Sequence, residues 1–220
     1  MTVDVRRAFA AEAVGSALLL ATIIGSGIMA QRLAGGNVAL ELLGNTLSTG
    51  SILIVLILVF GPVSGAHFNP AVSLVFALKR ELSINRLAVY VAAQMSGAIA
   101  GVLIAHAMFE TSVFQTATNV RTGPAQWLSE MVATFGLVGT ILGVLRFQPT
   151  RIAYAVGLYI SAAYWFTSST SFANPAVTVA RSLSDTFAGI DPGSVPAFVI
   201  AQLIGAATAL LFFAWLHRPD

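Results

Sequence analysis

Two short stretches carry the residues most able to do chemistry. GAHFNPAVSL at 65–74 and SFANPAVTVA at 171–180 each hold an Asn-Pro-Ala tripeptide: Asn69, Pro70 and Ala71, then Asn174, Pro175 and Ala176. Asn is a favoured N-cap and Pro a favoured first helical residue, so one such tripeptide says only that a helix begins. Two say more. Each Asn amide can donate to an oxygen, and each helix N-terminus carries partial positive charge. Brought together, the pair would hold a passing oxygen from two sides, turn its hydrogens outward, break a proton wire and repel cations. This is the chemistry of selective passage, and nothing in the sequence points to an enzyme. No nucleophile–base pair, phosphate loop or metal-ligand cluster is present. His67, His106 and His217 are scattered, the chain has no cysteine, and no metal or cofactor is called for.

The elements that would position these residues are written in the composition. Of 220 residues, 57% are apolar and 9% charged, with a mean hydropathy of +0.85. Soluble domains average about a quarter charged residues, so lipid is the solvent for most of this chain. A net charge of +2 is too weak to argue for nucleic acid. Six apolar stretches near 8–30, 40–60, 84–108, 127–147, 152–170 and 195–216 are long enough to span. The first follows Arg6 and Arg7 but runs too long for a cleavable signal, and is read as a spanning helix. The pieces at 69–79 and 174–184 are too short, reaching roughly 15 Å of a core about 30 Å thick.

Six spans put both termini on one side. That side carries Arg6, Arg7, Lys79, Arg80, Arg86, Arg146, Arg151 and Arg218; the other has Arg32, Arg121 and Arg181. The excess predicts cytoplasmic termini.

The chain repeats itself. AEAVGSALLLATIIG aligns with SEMVATFGLVGTILG through Glu12 and Glu130, and AAQMSGAIAG with IAQLIGAATA through Gln94 and Gln202. Each half (about 8–108 and 127–216) holds three spans, an odd number, so the copies lie in opposite orientation. An inverted repeat of this kind places its site at the midplane between the halves. The expectation is one channel domain, 1–220: an all-α membrane bundle of six spanning helices and two re-entrant half-helices that meet N-terminus to N-terminus. Gly97 and Gly101 match Gly205 and Ala209, a small-xxx-small spacing that lets helices cross closely.

Six spans, the SGAHFNPA segment, the second Asn-Pro-Ala and a Glu in the first span of each half resemble the major intrinsic protein family, the aquaporins and aquaglyceroporins. The likeness covers nearly the whole chain. It implies passive passage of water and small neutral solutes through a homotetramer, one pore per subunit, in a bacterial inner membrane as a multi-pass protein. It also implies that Glu12 and Glu130 brace the half-helix loops; proton relay is the rival role, since an acidic residue inside a span needs a partner.

The family normally has an arginine directly after the second Asn-Pro-Ala. Here that residue is Val177. Counting without gaps from the asparagines places Thr49, Ala162 and Ser171 beside it, a constriction of small residues. The resemblance then narrows to the metalloid-permeable, AqpS-like branch, implying passage of glycerol-like polyols and arsenous acid.

Arg181 lies one turn beyond Val177 on the same face; it either enters the vestibule, snorkels to lipid or pairs with Asp185. His67 either lines the inner vestibule or makes a structural hydrogen bond. The aromatic group Tyr159, Tyr164, Trp165 and Phe166 reads as an interfacial belt or subunit contact rather than a solute cage. An inverted-repeat secondary transporter coupled to an ion gradient is the competing class, and would need a coupling carboxylate.

Overall fold

A computed structural model describes residues 4–218; the ends of the 1–220 channel domain lie outside the described residues. The described residues form eight α-helices: α1 (Val5–Leu33), α2 (Val38–Ser64), α3 (Pro70–Leu78), α4 (Ile84–Met108), α5 (Pro124–Phe147), α6 (Ile152–Phe166), α7 (Pro175–Arg181) and α8 (Val195–Leu216). The starts follow local rules. Asp4, Asn37 and Ser83 cap α1, α2 and α4 with side-chain oxygens, and Pro124 opens α5. Gly65, in the left-handed conformation at φ 85°, ends α2.

Five of these helices are long and apolar enough to cross a membrane: α1, α2, α4, α5 and α8 with its leading 3-10 turn. The remaining long element, α6, has 15 residues and is preceded by a 3-10 turn at Pro149–Arg151. The sequence suggested a span to residue 170. The helix stops at Phe166 because Thr167 is already extended and the chain must then turn toward Asn174.

Helices cross where side chains are smallest. A Cβ on Gly97 would sit 2.1 Å from the Ala13 carbonyl, and one on Gly101 2.2 Å from that of Ala17, so α4 lies backbone against backbone on α1. The same crossing recurs in the second half, where a Cβ on Gly205 would meet the Met131 carbonyl at 2.3 Å. These contacts close α1–α4 and α5–α8 into two similar units, with α2 and α6 joining them. Outward-facing Leu47, Val55, Val59, Leu158 and Leu211 leave an apolar exterior suited to lipid. The short α3 and α7 begin against each other between these units, each N-cap asparagine bonded to the other's loop, and run outward from there.

Candidate functional site

The stretches leading into α3 and α7 are the least ordinary backbone in the chain. Ala66 and Phe68 have φ of 51° and 49°; Ser171 and Ala173, at the matching places before Asn174, have 50° and 48°. Non-glycine residues there cost about 1–3 kcal/mol each unless the surroundings hold them. The holding groups are two fully buried carboxylates. Glu12 accepts from the backbone N–H of His67 (2.9 Å) and Phe68 (2.7 Å), from Ser64 Oγ (2.6 Å) and from Gln94 Nε2 (2.7 Å). Glu130 accepts from the N–H of Phe172 and Ala173, both at 2.9 Å, and from Gln202 Nε2 at 2.6 Å. Each glutamine donates onward to a half-helix hydroxyl: Gln94 to Ser73 and Gln202 to Thr178. The glutamines matched in the repeat alignment, but only the fold assigns them this contact.

The asparagines are locked to each other's loops. Asn69 Oδ1 accepts from the N–H of Ala71 and Val72, while its Nδ2 donates to the Ala173 carbonyl at 2.7 Å. Asn174 Oδ1 accepts from Ala176 and Val177, and its Nδ2 donates to the Phe68 carbonyl at 2.7 Å. An amide nitrogen carries two hydrogens. One of each pair is therefore committed across the midplane, which fixes where the other points.

Both asparagines line a cavity of about 440 Å³ that extends from Leu145 and Pro149 to Arg181. Its long walls are apolar, supplied by Leu19, Ile23, Leu137, Ile141 and Val156. Polar groups are sparse and clustered, as in a pathway that must wet a solute without trapping it. His67 lines one side half-buried; Nδ1 lies 3.0 Å from Ser73 Oγ and the ring stacks on Phe76. Thr49, Ser171, Val177 and Arg181 line the cavity beyond the asparagines, and the structure brings them together.

Ala162 does not join them. It is exposed on the outer side of α6, and Tyr164 lines the cavity instead, its hydroxyl donating to Thr49 Oγ1 at 3.2 Å. The gap-free count fails because the segment between α6 and Asn174 is not helical, so residue number there does not track height. Helical spacing held the signal: Ala153, Val156, Ile160 and Tyr164 form one buried stripe, and Ala162 falls off it. The belt assignment therefore does not hold for Tyr164, although Trp165 and Phe166 are exposed. Tyr159 donates to the Ala133 carbonyl at 3.0 Å.

Arg181 neither snorkels nor pairs with Asp185. It is 2% exposed, its Nε donates to the Ala188 carbonyl, and its guanidinium carbon lies 3.4 Å from the centre of the Phe172 ring. Arg121 approaches the same ring at 5.2 Å and donates through Nε to the Gly189 carbonyl at 2.9 Å. Asp185 instead accepts from Thr118, at 2.9 Å from N–H and 2.8 Å from Oγ1. These two bonds hold its carboxyl below the ordinary value of 3.8.

Similarity to known proteins agrees with this architecture. The profile of the major intrinsic protein family matches residues 1–149. Aquaglyceroporin AqpS of Rhizobium meliloti (strain 1021) is 57% identical over 216 residues, covering 98% of this chain and 92% of the relative. The lens fiber major intrinsic protein of Gallus gallus is 29% identical, covering 94% of this chain and 80% of its own. The X-ray structure of the aquaglyceroporin from Plasmodium falciparum superimposes with a TM-score of 0.77 over 96% of both chains at 21% identity, a likeness of fold. With these matches, and with two cross-locked Asn-Pro-Ala half-helices meeting in one lined cavity, the chain belongs to the major intrinsic protein family and is a passive channel for small solutes, not an enzyme.

Proposed function

We propose that this channel passes water, glycerol-like polyols and arsenous acid, driven only by their gradients. Passage is centred on Asn69 and Asn174, with a constriction formed by Thr49, Ser171 and Val177 and completed by Tyr164. The observation that carries this reading is the cross-locking of the two asparagine amides, each of which keeps one N–H for the cavity. A solute oxygen passing the midpoint meets two fixed donors, while the apolar walls offer nothing to hold it longer. Glu12 and Glu130 act as braces. Every oxygen of each already accepts hydrogen bonds from the loops or their glutamines, which argues against a proton-carrying or ion-coupling role.

Val177 in place of arginine favours solutes larger than water, because a valine side chain occupies less of the bore. The name of the 57% identical relative, an aquaglyceroporin, supports the same solute class. We place both termini in the cytoplasm of a bacterial cell, the channel in the inner membrane and the Arg181 end outside, from the distribution of basic residues. A homotetramer is the assembly this family membership suggests.

The test is stopped-flow light scattering on proteoliposomes, comparing water, glycerol, urea and arsenous acid with empty vesicles. Rapid equilibration of the larger neutral solutes supports the wide constriction. Flux of water alone refutes it, and accumulation of solute on an imposed ion gradient would return the coupled transporter.

A further inference from the structure

Val177 leaves the position after the second Asn-Pro-Ala without charge, yet a guanidinium lines the same cavity one helical turn further along α7. Its surroundings leave that charge without a counter-ion in contact, Glu130 acting on it only from a distance. Among the described residues no carboxylate lies within 4 Å of the Arg181 guanidinium, and Asp185 is committed to Thr118. Nε is satisfied by the Ala188 carbonyl, whereas Nη1 is buried without a hydrogen-bond partner. The Phe172 ring, with Arg121 also approaching it, holds the guanidinium in place without neutralising it. A buried, unpaired charge is strongly unfavourable in a protein interior unless something else requires it. Beside a solute pathway it has a use: a fixed positive charge in a low-dielectric bore raises the barrier to every cation and leaves neutral solutes free to pass.

We infer that Arg181 is the cation-excluding residue of this channel, a filter charge set back one turn so that the bore beside Val177 stays open to larger neutral molecules. The separation of the two roles follows from the geometry. Size is set by Thr49, Tyr164, Ser171 and Val177, and sign by Arg181. The inference rests on the constriction proposed above, but its test reads charge rather than size.

Sodium and tetramethylammonium entry into proteoliposomes should be measured beside water flux for the unaltered channel, Arg181→Met and Arg181→Lys. Arg181→Met is expected to raise cation entry by on the order of tenfold, the factor for removing one charge at close range in a partly screened bore. Arg181→Lys, which keeps the charge and loses the forked geometry, is expected to reject cations as the unaltered channel does. A double change, Val177→Arg with Arg181→Val, is expected to restore rejection while slowing glycerol. Unchanged cation rejection in an Arg181→Met channel that still passes water overturns the inference. So does collapse of assembly and water flux in both Met and Lys variants, since Arg181 would then be a clamp for the 182–191 loop. Failure of the unaltered channel to pass glycerol strikes the proposed constriction instead and leaves the cation result to stand alone.

Discussion

Replacing Glu130 with glutamine tests the brace at the level of single hydrogen bonds. The carboxylate serves three donors: the N–H groups of Phe172 and Ala173 and Gln202 Nε2. A glutamine keeps one acceptor oxygen and turns an NH2 toward the rest. Gln202 can relieve one side by flipping its own amide, because its Oε1 has no partner now, at the loss of its bond to Thr178 Oγ1. One backbone N–H, of Phe172 or Ala173, is then stranded. That costs roughly 1–3 kcal/mol. The surviving bonds also fall from charge-assisted to neutral, costing roughly another 1 kcal/mol. The total of about 3 kcal/mol falls on the backbone that holds Ser171 and Ala173 at positive φ. Release of Ala173 also removes the acceptor that fixes Asn69 Nδ2. Glu130→Gln should therefore lower the thermal unfolding midpoint in detergent by several degrees, and lower water flux per assembled channel. Glu130→Ala, which strands all three donors, should do worse on both counts. The assays are a tryptophan-fluorescence melt and stopped-flow osmotic shrinkage of the same preparation. A Glu130→Gln channel that melts and conducts like the unaltered one would refute the bracing role.

Three further outcomes follow from the geometry. Val177→Arg should reduce glycerol and arsenous acid flux more than water flux, and equal losses in stopped-flow traces would count against Val177 as a constriction residue. Gly205→Val should destabilise the channel by about 1–3 kcal/mol through overpacking, because even a Cβ would lie 2.3 Å from the Met131 carbonyl; a detergent melt indistinguishable from the unaltered protein would contradict the close α5–α8 crossing. The Asp185–Thr118 clamp has a carboxyl depressed below 3.8, so its contribution is complete above that pH and is lost as pH falls through the folded value. Limited proteolysis near 112–119 should be slow at pH 5 and faster near pH 3 if this holds, and equal cleavage at both would argue that Asp185 holds nothing.

Several parts of this channel were legible in the residues because they depend on local or repeated pattern. The apolar lengths identified five spanning helices and overran the sixth apolar stretch, whose helix ends at Phe166. Asn-Pro specified two helix starts whatever surrounds them. Gly97, Gly101 and Gly205 stood at spacings that already meant close crossing, and the fold sets each against a carbonyl. Glu12 and Glu130 were conspicuous because a carboxylate in a lipid-facing sequence needs a reason.

What the sequence left open lies where the backbone is irregular or where a side chain has a choice of partner. Residue count measures height along a helix but not along the irregular run from Thr167 to Ala173, with its turn and left-handed residues, so the count puts Ala162 where Tyr164 stands. The left-handed residues before each asparagine have no signature in sequence, since the carboxylate that holds them comes from another helix. Arg181 could equally have reached lipid or Asp185 by spacing alone. Packing against Phe172 and the Ala188 carbonyl, with Asp185 already taken by Thr118, decided against both and left it among the residues lining the cavity. Pattern along one helix thus determined the elements and their order, and the contacts between helices and loops, which no local pattern encodes, decided which side chains a solute would meet.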